Sequence, residues 1–237
     1  MRYQNIHKAV FLSRPNRFIA KVLLEGEELT VHVKNTGRCK ELLIPGCTVY
    51  LEKSDNPARK TAYDLVSVEK PLADGGIKLV NMDAQAPNKL FQEWAGAGYF
   101  RPGLTLLRPE TTFENSRFDF YWEAGRAGSK PARRGFVEVK GCTLEEDGWT
   151  YFPDAPTERG VKHLRELIRA RKQGYEAAVC CVIQMADVKG FSPNDRTHPE
   201  FGAALRDAGG AGVEIIAWEC AVTPKEVYIT TGVPVEL

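Results

Sequence analysis

Three residues stand where their types and spacing could do chemistry: Asp119, Glu138 and Lys140. The segment 116–122 alternates, so Phe118, Phe120 and Trp122 are expected on one face of a strand and Arg117, Asp119 and Tyr121 on the other. In 134–141, Val137 and Val139 point one way, Glu138 and Lys140 the other. The intervening Gly125 to Gly135 stretch has the glycines, proline and basic residues of a turn. Two antiparallel neighbours would place Asp119 beside Glu138. Carboxylates on adjacent strands hold Mg²⁺ or Mn²⁺, hard ions that take oxygen ligands. Such an ion activates water and steadies charge on a phosphoryl oxygen. Lys140, on the Glu138 face, can orient the water or stabilise transition-state charge.

The elements around these residues can be read from periodicity. A helix is predicted to start near Pro87, with Leu90, Phe91, Trp94 and Ala97 as its apolar stripe. Glu93 lies at the edge of that stripe, where a carboxylate can reach inward. A second helix is predicted over 157–173, with Thr157 as N-cap and Gly174 past its end. Val161, Leu164, Leu167 and Ile168 form its core stripe. Arg159, Lys162, His163, Glu166 and Arg169 are expected on the opposite, solvated side, where Arg159 and Lys162 could neutralise phosphates and His163 could relay a proton. Strands at 177–185, 213–218 and 227–231 and a helix at 200–208 complete an α/β (α+β) layer.

The N-terminal third reads as β. From Arg17 to Asp83, short alternating runs are separated by turn signals such as Asn35-Thr36-Gly37 and Pro45-Gly46. A small five-stranded barrel of the OB type fits the size, and such barrels bind oligonucleotides. Basic residues sit at its turns: Arg14 and Arg17 around Pro15-Asn16, Arg38 and Lys40 after Gly37, Arg59 and Lys60 after Pro57. A guanidinium can grip phosphate with two hydrogen bonds. His32 is expected to be an outward polar position, and His7 and His198 have no identifiable partner. The division expected is 1–83, a barrel that binds nucleic acid, and 84–237, a mixed sheet flanked by helices.

The formal charge of the 237-residue chain is only +1, which at first sight argues against nucleic acid. The mean hides a mosaic. Residues 1–21 contain five basic residues and no acid, and 157–174 contain six basic residues and two acids. Binding through localised basic faces is therefore expected, with strong salt sensitivity. The longest wholly apolar run, 177–183, is seven residues, too short to span a membrane. The six cysteines form no Cys-x-x-Cys, so the expectation is a reduced, cytoplasmic protein without a zinc site. An exposed β edge could pair two chains.

Asp119 with Glu138-Val139-Lys140 resembles the PD-(D/E)xK nuclease core, with Phe118 where that motif often has proline. The chain as a whole resembles the sugar fermentation stimulation protein A family. The likeness rests on Arg14-Pro15-Asn16-Arg17-Phe18, Asn35-Thr36-Gly37-Arg38, Asn81, Asn88 and Glu93, and 116–120 and 136–140. Its most specific block is Tyr151-Phe152-Pro153-Asp154-Ala155-Pro156-Thr157-Glu158-Arg159-Gly160 and the following 162–167. The resemblance implies an OB-like N-terminal domain and a restriction-endonuclease-like C-terminal domain. It also implies DNA binding, single- or double-stranded, with little sequence specificity; RNA is a further candidate. By position, Asp119 and Glu138, with Glu93 as the helix glutamate, would hold Mg²⁺ or Mn²⁺. The alternative it carries is a non-catalytic DNA-binding regulator linked to sugar (maltose) metabolism.

Overall fold

In a computed structural model, which describes residues 1–237 apart from Thr36, Asp74 and Ala127, alternation in the first third closes into a barrel. Thr36 belongs to the expected Asn35–Gly37 turn and Ala127 to the expected Gly125–Gly135 connection; both lie outside the described residues. The strands are β1 (Ile6–Asn16), β2 (Ile19–Leu24), β3 (Glu27–Val33), β4 (Thr48–Lys53), β5 (Tyr63–Pro71) and β6 (Ile77–Asn81). They run in the order β3-β2-β1-β4-β5-β6, and a parallel β3–β5 pairing closes five of them into a barrel. The first strand lies ahead of Arg17, from which the alternating runs were read, and inside the expected barrel segment 1–83. Buried Val22, Val31, Val33, Val49, Leu51 and Leu65 fill the interior. Where β3 meets β5, His32 and Asp64 are register partners, and their side chains bond at 2.9 Å. His32 takes the outward position expected between buried Val31 and Val33, and its ring adds a bond to Asp64 at the closing pair of strands.

Helix α1 (Ala86–Gly96) follows, with proline in its first turn, where the missing N–H has no helical partner to lose. The second half is a six-stranded mixed sheet of β7 (Leu104–Phe113), β8 (Ser116–Ala124), β9 (Arg133–Cys142), β12 (Glu176–Ile183), β14 (Glu214–Val222) and β15 (Val227–Val233), in the order β15-β14-β12-β9-β8-β7. β9, β12 and β14 are parallel, and the outer pairings are antiparallel. A three-stranded patch of β10 (Leu144–Glu146), β11 (Trp149–Phe152) and β13 (Gly190–Pro193) lies alongside. Two helices cover one face: α2 (Glu158–Lys172), capped by Thr157 Oγ1 accepting from Gly160 N at 3.0 Å, and α3 (Pro199–Gly210).

Two apolar cores lie on the two faces of this sheet. The α1 side holds Leu90, Phe91, Trp94, Phe120 and Trp122; the α2–α3 side holds Val161, Leu164, Phe201 and Leu205 and runs on into the barrel interior. Phe118 belongs to the second core, packed on Phe136, and does not share a face with Phe120 and Trp122. The strand changes the face it presents at Asp119, between them. Buried polar groups join barrel and sheet: Gln184 Nε2 donates to Asn81 Oδ1 at 2.7 Å and to the Asp83 carbonyl at 2.9 Å, and Asn81 Nδ2 donates to the Tyr3 hydroxyl and the Val66 carbonyl, both at 2.9 Å. All six cysteines are free thiols, and among the described residues no helix is long and apolar enough to cross a membrane.

Candidate active site and basic surfaces

The β8–β9 ladder pairs Ala124 with Arg133 through Phe120 with Val137 and stops there. One step further, the Asp119 side chain takes over: its Oδ2 accepts the Val139 N–H at 2.8 Å, and its Oδ1 accepts from Asn88 Nδ2 of α1 at 2.9 Å. Both carboxylate oxygens are thereby aimed. Burial raises the Asp119 pKa, and the neighbouring Glu138 charge raises it further.

Glu138 is 3 % exposed. Its Oε1 accepts from Lys140 Nζ at 2.6 Å and is bonded by His163 Nδ1. Burial pushes its pKa up, but the Lys140 ammonium and the His163 hydrogen bond outweigh that and hold the carboxyl below the ordinary glutamate range. Glu138 is therefore a carboxylate, an acceptor only, so His163 Nδ1 carries the proton. The other ring nitrogen then accepts, matching the Arg159 Nε–H at 3.4 Å. Glu138 Oε2 is buried and has no hydrogen-bond partner. A buried anionic oxygen without a donor, next to a second carboxylate, is an arrangement a hard cation completes. The residues present fit Mg²⁺ or Mn²⁺ in that respect. Among the described residues, no group of three His, Cys, Asp or Glu side chains converges as a metal cluster.

The structure separates Glu93 from this pair. Its Oε2 takes the N-terminal ammonium of Met1 at 2.7 Å, and the residue borders an aromatic groove with Trp94 and Trp218. The reason is angular: Asn88, which does reach Asp119, lies five residues earlier, about 140° around the helix. His163 and Glu166 are likewise not on the solvated face of α2. At 5 % and 4 % exposed they face inward, which leaves Arg159, Lys162, Arg165 and Arg169 outside. Lys162 Nζ donates to the Asn115 carbonyl at 2.8 Å, tying α2 to the β7–β8 turn. His198, for which the sequence identified no partner, is buried at the start of α3, where its Nδ1 accepts from Thr157 N at 3.3 Å.

On the barrel, Arg14 is not free to grip phosphate. Its two terminal nitrogens donate to four carbonyls, of Arg17, Asn35, Gly37 and Arg38, at 2.6–2.8 Å. It fixes the loop that carries its neighbours. Arg17, Arg38 and Lys40 remain exposed around a cavity of about 270 Å³. Arg59 is spent on Asp64, through both terminal nitrogens at 2.8 and 2.6 Å. Sequence reasoning gave no role to Asn88, the donor to Asp119; its place among the residues that carry the family resemblance, just ahead of the apolar stripe of α1, was its signal.

A closed five-stranded barrel joined to a mixed sheet, with two carboxylates and a lysine at the sheet's β8–β9 break, defines the class of protein. The family model described as "Sugar fermentation stimulation protein RE domain" matches residues 85–226, and the "SfsA N-terminal OB domain" matches 12–80. A sugar fermentation stimulation protein homolog of Desulfitobacterium hafniense is 55 % identical over 237 residues, covering 100 % of this chain and 99 % of that protein. A homolog from Ruminiclostridium cellulolyticum is 51 % identical, with 100 % of both chains covered. The solved structure of Pyrococcus furiosus SfsA in complex with Ca²⁺ superposes with a TM-score of 0.85 at 26 % identity, covering 100 % of this chain and 98 % of the other. The chain belongs to the sugar fermentation stimulation protein family.

Proposed function

We propose that the protein binds nucleic acid, chiefly DNA with little sequence preference, and hydrolyses phosphodiesters at Asp119, Glu138 and Lys140 with the help of Mg²⁺ or Mn²⁺. The observation that carries this reading is the partnerless buried Glu138 Oε2 beside Asp119 and Lys140. Binding alone has no use for a buried and a half-buried carboxylate facing a polyanion. That the Pyrococcus furiosus relative was solved with Ca²⁺ supports a cation preference of the same hard class.

Asp119 and Glu138 would hold the cation, which when bound supplies Lewis-acid stabilisation of charge on a phosphoryl oxygen. Asn88 and the Val139 N–H hold Asp119 in place, and His163 holds Glu138. Lys140 contributes a fixed positive charge 2.6 Å from Glu138, able to orient a water or neutralise charge on the reacting phosphate. The exposed arginines and lysines of α2 and of the barrel loop offset the acidic pair and attract the phosphate backbone.

The test is cleavage of single-stranded, duplex and branched DNA and of RNA in Mg²⁺ or Mn²⁺, by the natural chain and by Lys140→Ala. Cation-dependent cleavage that disappears in the variant is expected. Binding without cleavage of any substrate would remove the enzymatic reading and leave a binding protein.

A further inference from the structure

The parallel strands β9, β12 and β14 begin at Arg133, Glu176 and Glu214, and their leading ends open on a polar cavity of about 360 Å³. Arg101, Arg171 and Gly212 complete its walls, and none of Asp119, Glu138 and Lys140 lines it. Three guanidiniums and two carboxylates meet there, which leaves one positive charge in excess.

The two glutamates are held unequally. Glu176 receives Nε and a terminal nitrogen of Arg133 at 2.5 and 2.8 Å, a closed bidentate pair. Among the described residues Glu214 is hydrogen-bonded by Arg101 alone, and its side chain is 49 % exposed, so it can turn out to water. Arg101 is the fixed member of that pair. Its guanidinium lies over the Phe100 ring, 4.0 Å from the centroid, and faces Trp122 at 5.4 Å.

Arg171, in the last turn of α2, differs from the structural arginines of this chain. Arg14 and Arg59 use both terminal nitrogens on acceptors. Arg171 uses one, on the Tyr175 carbonyl at 3.2 Å, and among the described residues it forms no ion pair. Its Nε is buried without a partner. Its Nη2 lies against Gly212, 3.2 Å from where a Cβ would stand. A guanidinium held at a cavity wall with unused donors is what an oxyanion completes.

We propose that this cavity binds a phosphate monoester with a hydroxylated body, its phosphate on Arg101 and Arg171 and its hydroxyls on the glutamates. The inference goes beyond the phosphodiesterase reading and does not rest on it. The Glu214 carboxylate occupies the phosphate's place on Arg101 and gives it up when the ligand arrives. A planar carboxylate is satisfied by one guanidinium. Two guanidiniums suit a phosphate, with three acceptor oxygens and nearly two charges. A bare ion would leave most of the cavity empty, whereas small-molecule sites span about 300–1,000 Å³. Glu176 and Glu214 accept hydrogen bonds only, which suits hydroxyls. The ligand joins the ends of three strands and α2, so its binding raises thermal stability as well.

The experiment is calorimetric titration of the full chain in chelator, with ribose 5-phosphate, thymidine 5′-monophosphate, inorganic phosphate and ribose as the probes. At least one monoester should bind at least about tenfold more tightly than inorganic phosphate, and ribose should not bind. The tighter monoester assigns the body as sugar or nucleoside. Arg171→Gln should weaken that monoester at least about tenfold, the loss of a charge-assisted contact. Glu214→Gln should tighten it about fivefold, because the competing carboxylate is gone. Arg38→Gln in the barrel loop and Lys140→Ala at the carboxylate pair should bind it as the natural chain does. No binding of either monoester, or a folded Arg171→Gln that binds unchanged, would overturn the inference. Affinity lost in Lys140→Ala and kept in Arg171→Gln would place the ligand elsewhere and overturn it too. Inorganic phosphate bound as tightly as both monoesters would overturn the assignment of the body. Should Arg171→Gln not fold, a Glu214→Gln that binds no more tightly than the natural chain overturns the inference by itself. Failure of the nuclease reading leaves these outcomes unchanged, since no cleavage is measured.

Discussion

His163 and Lys140 bond the same oxygen of Glu138 and leave the other without a partner. One oxygen is thereby held and the other is presented. His163 in turn receives the Arg159 Nε–H, so the histidine that orients the buried carboxylate is itself braced, in the tautomer that carboxylate imposes, by a surface arginine.

His163→Ala should lower divalent-cation affinity about tenfold, the usual effect of losing an outer partner of a ligand. It should also destabilise the fold by about 2 kcal/mol, because the buried carboxylate loses a donor. His163→Gln, which retains an N–H donor, should recover part of the affinity. Calorimetric titration with Mn²⁺ and denaturant melts would measure both.

Arg14→Lys should destabilise the chain by about 3 kcal/mol, as a single ammonium cannot reproduce four carbonyl contacts made by a planar fork. Urea unfolding of the variant against the natural chain tests this. If Arg14 served only to attract phosphate, the lysine would be silent in stability.

Asp64 predicts a pH dependence. Its burial would raise the pKa, but Arg59, His32 and Lys34 outweigh that and lower it to about 2. A depressed folded-state pKa gives stability that is fully present above the unfolded value near 3.8 and is lost as pH falls toward 2. The loss should be about 2 kcal/mol over that window. Asp64→Asn should be less stable at neutral pH and should flatten this part of the acid profile, read from denaturation midpoints between pH 5 and pH 2.

Gly135→Ala should destabilise strongly, by about 2–3 kcal/mol, an overpacking effect. A Cβ at Gly135 would drive into the backbone carbonyl of Glu176, its register partner on β12. That position lies three residues before Glu138 in the same strand, so cation binding should weaken along with thermal stability. A variant as stable as the natural chain would contradict the close β9–β12 approach.

Much of this architecture was legible in local pattern. Alternation over Leu29 to Lys34, from Val49 and Leu51, and over Asp64 to Glu69 announced barrel strands that the structure has as β3, β4 and β5, and Pro87, Thr157 and Gly174 marked its helix ends. Alternation also put Asp119 and Glu138 on neighbouring strands. Strand β7 was missed because Pro109 and its half-exposed residues hide the period; as the outermost strand of its sheet it tolerates both. The short β10, β11 and β13 are too brief to show a period at all. The roles of Arg14, Glu93 and His163 depended on partners far away in sequence. Arg14 meets backbone carbonyls, which no side-chain pattern encodes; Glu93 meets the chain's own amino terminus. His163 occupies a polar position of a helix wheel and is buried against Phe118 with Glu138 there to accept its N–H.

The Tyr3–Asn81–Gln184 bonds have a mechanical consequence. Gln184 donates to Asn81 and Asp83 of the first half, the Asn81 N–H donates back to the Gln184 carbonyl at 2.9 Å, and the apolar core beneath α2 is continuous with the barrel interior. Pulling the halves apart would expose that core and strand polar atoms away from water. Barrel and sheet therefore melt as one body, and a chain cut between residues 83 and 84 would leave two fragments, neither with a complete interior.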